Sequence, residues 1–185
     1  MKKVFYSLGI LGICLLLVGC GCKKMTAKGA VEDFLNQYKS LSSNVMKDLE
    51  EVILNEELAK ENEDKYRDIM KRQYKDLNYK VIDETYDGDT AKVKVKIKVY
   101  DLAKAQKEAS EYLNSNLDEF KDEDGNYDNS KFLEYKLDQM KNTNKKVEYT
   151  LNLDVKKNSQ GKWEVTKLSQ NDLEKIHGIY NYEEE

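Results

Sequence analysis

Thr90-Ala91-Lys92-Val93-Lys94-Val95-Lys96-Ile97-Lys98-Val99-Tyr100 alternates apolar and polar residues without a break. Successive side chains of a strand point to opposite faces, so Ala91, Val93, Val95, Ile97 and Val99 line one face and Lys92, Lys94, Lys96 and Lys98 the other. One face is therefore core and the other meets water, as in an antiparallel sheet covered on one side only. Immediately upstream, Asp87-Gly88-Asp89 separates this strand from a second segment, Tyr79 to Tyr86. Asp-Gly between alternating segments predicts a hairpin.

A second hairpin is predicted further on. Val147, Tyr149, Leu151, Leu153 and Val155 alternate with Glu148, Thr150, Asn152, Asp154 and Lys156. Asn158-Ser159-Gln160-Gly161 turns the chain, and Lys162 to Ser169 returns it with Trp163 and Val165 on the buried side. Before the first hairpin the period changes to three and four residues. Thr26 is placed to cap a helix carrying Ala27, Ala30, Val31, Phe34, Leu35, Tyr38 and Leu41. A second helix begins after Ser43 or Asn44 with Val45, Met46, Leu49, Val52 and Ile53 on one side, and a third carries Tyr66, Ile69, Met70, Gln73, Tyr74 and Leu77. The acidic stretch from Glu56 to Asp64 marks the turn between those two.

Between the hairpins, residues Leu102 to about Phe120 are helix-rich, Lys121 to Asn129 form a polar loop, and another helix carries Phe132, Leu133, Leu137 and Met140. Ser169, Asn171 or Asp172 can cap a short closing helix with Leu173, Ile176 and Ile179. The sum is an α+β chain in which N-terminal helices pack on an antiparallel sheet of two hairpins, with a helical insertion at about 102–141. It forms a single domain over 26–182, within the usual size range, followed by an acidic tail at 183–185.

The amino terminus carries a different message. Lys2 and Lys3 precede an apolar run from Val4 to Val18, the layout of an export signal. At about 15 residues the run falls short of the roughly 20 that a spanning helix wants. It ends in Leu17-Val18-Gly19-Cys20, which resembles the lipobox of bacterial lipoprotein precursors. That resemblance implies a diacylglycerol on the Cys20 sulfur, fatty chains such as palmitate, and removal of the signal peptide 1–19. The other reading is an uncleaved membrane helix with an incidental cysteine. Two acyl chains make a stable anchor where one does not. Residues 20–25 would then be the lipid-anchored tether, and an extended tether of five residues beyond the anchor reaches at most about 18 Å. The expected location is the extracytoplasmic face of the cell membrane.

Cys14 would leave with the signal and Cys20 would carry lipid, so Cys22 remains alone and the mature chain has no intramolecular disulfide. Stability must come from an apolar core. Cys22 is a bystander in the tether, a reactive thiol or an intermolecular link. Loss of Lys2 and Lys3 takes the formal net charge from −4 to −6, which argues against nucleic acid as a partner. Charged residues make up 36% of the chain, a value that would suggest disorder were the apolar residues scattered; their periodicity and the 13 tyrosines indicate a folded domain instead.

The order of elements resembles the cystatin-like or NTF2-like α+β class, especially small lipoproteins with a DUF4878-type domain. The residues that carry the likeness are Ala30-Val31-Glu32-Asp33-Phe34-Leu35, the hairpin from Tyr79-Lys80-Val81-Ile82-Asp83 to Thr90-Ala91-Lys92-Val93, and Gly161-Lys162-Trp163-Glu164-Val165. The likeness covers about two thirds of the mature chain. The class includes isomerases, dehydratases, transport factors and binding modules, so the likeness implies a fold and leaves the activity open.

Four features of the sequence bear on chemistry. His177, the only histidine, cannot build a usual zinc set, and it reads as a helix-end residue near terminal carbonyls. A pocket enzyme of the NTF2-like kind needs an ionisable group on the buried sheet face, where the pattern places only Tyr149. Asp122, Asp124, Asn126 and Asp128 offer alternating oxygens for calcium, but with Asp122 first the sixth and twelfth positions hold Tyr127 and Leu133, which breaks the EF-hand pattern. A solvated turn is the simpler account. The lysine row could meet anionic wall polymer or lipid, or be a solvent face balanced by Glu148 and Asp154. The reading is a monomeric, non-catalytic binding or interaction module at the cell envelope, without a cofactor, meeting the membrane through lipid on Cys20 and an envelope protein or small ligand through its domain. The alternatives are an NTF2-like pocket enzyme and a structural envelope spacer.

Overall fold

The computed structural model describes residues 26–55, 58–166 and 168–181. Strand β2 (Thr90–Tyr100) buries Ala91, Val93, Val95, Ile97 and Val99 and exposes the residues between them. It pairs antiparallel with β1 (Asn78–Asp87) on one side and β3 (Lys146–Lys157) on the other, and β4 (Trp163–Val165) borders β3, giving the sheet order β1-β2-β3-β4. Gly88 takes the left-handed backbone, φ 57°, that a tight hairpin turn demands. The architecture is α+β, with helices packed on an antiparallel sheet of two hairpins, consistent with an NTF2-like or cystatin-like arrangement.

Helix α1 (Ala27–Lys39) lays Ala27, Ala30, Val31, Phe34, Leu35 and Tyr38 on the apolar sheet face. Thr26 caps it, its Oγ1 accepting from Gly29 N at 3.0 Å. Two other amides of the first turn are met by β1. Ala27 N donates to Tyr86 Oη (3.3 Å) and Lys28 N to Glu84 Oε2 (3.2 Å). A bulge between Val81 and Asp83 makes this possible. Before it Tyr79 and Val81 oppose Ile97 and Val95; after it Glu84 and Tyr86 oppose Val93 and Ala91. The bulge thus reverses the alternation and turns Glu84 and Tyr86 toward the helix, where a carboxylate suits the positive end of the dipole.

α2 (Ser43–Asn55) adds Val45, Leu49 and Ile53 to the core, and α3 (Lys60–Lys75) adds Ile69, Met70 and Tyr74. α3 begins at Lys60, so Glu61 and Glu63, expected in a turn, occupy its first turn, where carboxylates are favoured. After β2 come α4 (Leu102–Ser115), a 3-10 turn (Leu117–Phe120) and α5 (Asn129–Asn142). α4, the turn and α5 share a separate aromatic cluster, with Phe120 at 5.6 Å from Phe132 and 5.4 Å from Tyr135, and Tyr112 stacked 5.0 Å from Tyr135.

β4 is shorter than the Lys162 to Ser169 return expected. Both the amide and the hydroxyl of Thr166 converge on Asp154 O (2.9 and 3.1 Å), which ends the ladder. Ser169 then caps α6 (Gln170–His177), its Oγ accepting from Asp172 N at 3.1 Å. Gly178 ends α6 at φ 73°, with Ile179 N donating to Glu174 O at 3.0 Å in a Schellman arrangement. Ile179, expected inside this helix, lies just beyond it.

The end of β2 is fastened by a single side chain. Gln73 is 1% exposed; its Oε1 accepts from Tyr100 N (2.9 Å) and its Nε2 donates to Tyr100 O (3.2 Å). Gly178 packs against the same bonds, since a Cβ there would lie 2.2 Å from both Gln73 Nε2 and Tyr100 O. Gln73→Ala should therefore destabilise the fold by about 2–4 kcal/mol, because two buried backbone groups lose their partners. Urea unfolding measures this, and a loss below about 0.5 kcal/mol would show that the latch contributes little.

Candidate functional site

A concave surface that the fold leaves open lies beside this latch. Leaving β2, the chain turns at Asp101, whose Oδ1 accepts from Lys104 N at 3.0 Å and caps α4. Asp101 N donates to Lys145 O at 3.0 Å, joining the start of α4 to the segment entering β3. Arg72, next to Gln73 on α3, holds that segment from below. Its Nη1 donates to Lys141 O (2.5 Å) and its Nη2 to Thr143 O (2.9 Å) and Asn144 Oδ1 (3.0 Å). The guanidinium sits 3.9 Å from the Tyr100 ring centroid, and Lys146 Nζ lies 4.5 Å from the same ring. Tyr100 Oη donates to Asp76 Oδ2 at 2.6 Å.

Between the first half of α4 and the end of α5 this arrangement leaves an open groove of about 540 Å³, lined by Ala105, Glu108, Gln139, Asn142, Thr143, Asn144 and Lys145. Lys145 Nζ donates to Glu108 Oε1 (2.6 Å) and Oε2 (3.0 Å). Amides, a hydroxyl and one solvent-facing ion pair offer donors and acceptors in nearly equal measure. Such a lining suits a polar, uncharged or zwitterionic group. The sequence patterns did not reveal this groove, because its residues come from two helices and a connection that meet only in the folded chain.

The residues marked out by sequence lie elsewhere and apart from one another. His177 is the last residue of α6, as expected, but it does not face solvent there: it is 7% exposed and packs 5.7 Å from the Tyr74 ring. Burial lowers its pKa from 6.5 to about 4, so it is neutral at physiological pH. Glu174, its neighbour on the helix, accepts from Gln170 Nε2 at 2.9 Å. On the apolar sheet face Tyr149 Oη donates to Tyr180 O at 3.3 Å, and its neighbours Leu151, Leu153 and Val155 are buried.

In the Asp-rich loop the carboxylates serve the backbone. Asp122 Oδ1 accepts from Asp124 N (3.0 Å) and Asn126 N (2.8 Å), and Asp128 Oδ1 caps α5 through Ser130 N (2.9 Å) and Lys131 N (3.2 Å). Among the described residues no group of three or more His, Cys, Asp or Glu side chains is placed to hold a metal ion. Cys20 and Cys22 lie outside the described residues.

A cluster not singled out from sequence sits between α1 and α2. Gln37 Nε2, Tyr38 Oη and Asp48 Oδ2 are buried without a hydrogen-bond partner among the described residues. Burial, then the Asp48 charge, pushes the Tyr38 phenol up, and burial followed by Glu51 raises Asp48. Tyr38 reads from sequence as a core position; its polar atom has no periodicity to betray it.

No protein-family model, curated protein or solved structure matches this chain.

A pH dependence follows from His177. Above pH 6.5 both the folded and unfolded histidine are neutral and the burial is harmless; as pH falls from 6.5 toward 4 the unfolded chain takes up a proton that the folded one refuses. Stability is thus full above 6.5, declines through that window and reaches its limit below about 4, for a loss of about 3 kcal/mol from this residue. Unfolding measured at intervals across the window should show the decline, and His177→Gln should flatten it. An unchanged slope in the variant would assign the dependence to other groups.

Proposed function

We propose that this chain is a bacterial lipoprotein, fixed by a diacylglycerol on Cys20 to the extracytoplasmic face of the cell membrane, with residues 26–182 acting as a non-catalytic binding or interaction module. The observation that carries the reading is the succession of Lys2-Lys3, an apolar run too short to span, and Leu17-Val18-Gly19-Cys20. No helix among the described residues is long and apolar enough to cross a membrane, so membrane association in this reading falls to the lipid.

Binding without catalysis is supported by the chemistry of the buried sheet face and of the groove. The buried sheet face presents aliphatic side chains and one phenol engaged with a carbonyl, which supplies no proton acceptor for an isomerase. The groove presents matched donors and acceptors suited to holding a polar group. In this reading an envelope protein or small ligand sits there, and the module works as a monomer.

Expression of the wild-type chain and Cys20→Ser in a bacterium fed radioactive palmitate tests the anchor. The wild type should take up label, migrate as the processed form and sediment with membranes. Cys20→Ser should carry no label and accumulate unprocessed. Equal labelling and processing of the two chains would end the proposal.

A further inference from the structure

The four lysines on the outer face of β2 are not equivalent. Lys92 lies 3.9 Å from Asp154 and Lys98 lies 3.7 Å from Glu148, each directly opposed across the β2–β3 ladder. Between these neutralised ends, Lys94 is opposed by Asn152 and Lys96 by Thr150. On the β1 side Lys96 is opposed by Lys80, and Lys94 by Asp83, whose Oδ1 accepts from Glu84 N at 2.9 Å. Among the described residues Lys80, Lys94 and Lys96 make no ion pair. Like charges directly opposed across a sheet are unfavourable. The chain nonetheless holds this trio on an open face, with Thr150 and Asn152 exposed beside it.

The geometry points to a linear partner carrying regularly spaced negative charge. Lysines two residues apart on a strand repeat every 6.6–6.8 Å or so, and the neighbouring strand is offset by roughly 4.8 Å. A phosphodiester chain with a short carbon spacer repeats its charge on that scale. The outer faces of β2 and β3 carry lysine, threonine, asparagine and carboxylates but no aromatic ring, so they lack the stacking platform by which single-stranded nucleic acid is held.

Orientation favours a polymer over a lipid surface. α1 begins beside Tyr86 and Glu84, at the turn end of the first hairpin. A chain tethered just ahead of Thr26, a point that rests on the anchoring reading above, places that end toward the bilayer, and the lysine row then runs away from the membrane. We infer that Lys80, Lys94 and Lys96 form a docking surface for a linear, base-free phosphodiester polymer.

The test uses the full-length chain in non-ionic detergent, titrated with poly(glycerol phosphate). Saturable binding is expected at low salt, weakening steeply as salt rises because bound counterions are released from the polymer. Lys94→Glu combined with Lys96→Glu should lower affinity about tenfold or more, whereas Lys75→Glu combined with Lys162→Glu, the same change in net charge on other exposed lysines, should change it less than about twofold. Both pairs are solvent-exposed, and matching thermal unfolding curves verify that each variant folds.

Absence of binding at low salt, equal loss in the two variants, or equal competition by monomeric glycerol phosphate overturns the inference. So does loss of polymer binding when the chain, held in phosphatidylcholine discs, is given phosphatidylglycerol in the same discs, since the face would then lie on lipid. Cys20→Ser in detergent should bind the polymer as the wild type does, so a failed anchor and a failed polymer surface are read separately.

Discussion

Two hydrogen bonds between the Gln73 side-chain amide and the backbone of Tyr100 are the constraint on which one whole end of the molecule depends. A carboxamide can serve a backbone N–H and C=O at once, acting as a short extra strand at the end of β2. Because these groups are buried, they must be satisfied, and no apolar residue at position 73 could do so. The close approach of Gly178 seals the latch from the other side, and Gly178 O accepts from Ala103 N at 2.8 Å, so α3, β2, α4 and α6 meet at one point. Arg72, the residue before Gln73 on α3, reaches the connection that borders the groove. Position in the groove is thus inherited from a bond pattern one residue away.

The opposite end is organised by a different device. A single extra residue in β1 turns Glu84 and Tyr86 inward, where they meet amides that a helix start otherwise leaves unsatisfied. Tyr86 then also meets Trp163 of β4 at 5.4 Å, across the small Ala91, so the two edges of the sheet curl toward each other there. One end of the apolar face is closed by aromatic rings and the other by the latch. Between them runs the apolar core, with a neutral, buried histidine.

The two faces of the sheet divide the functional possibilities. Inside, the phenol of Tyr149 is engaged with Tyr180 O and the imidazole of His177 is held neutral by its surroundings. Outside, charge is arranged in rows whose ends are paired and whose centre is not. The proposed binding role draws on both features, the hydrogen-bonding groups of the groove and the charge along the strand.

Strong periodic signals were legible in the residue order: the two faces of β2 and β3, the Asp-Gly turn, the helix starts at Thr26 and Ser169. Each depends on neighbours in sequence, through side-chain alternation or a cap closing on its own first turn, so local physics suffices to specify it. The length of β4, the first turn of α3 and the burial of His177 were not legible, because each is set by what packs against the segment. Nor were the latch, the bulge and the groove, whose members lie tens of residues apart and acquire meaning only when a buried polar group must find its partner. Sequence alone determined the alternation that makes a one-sided sheet and the amino-terminal pattern that suggests a lipid anchor. Tertiary structure decided which polar atoms are buried and which lysines stay unpaired, since desolvation and cross-strand distance do not exist until the chain has folded.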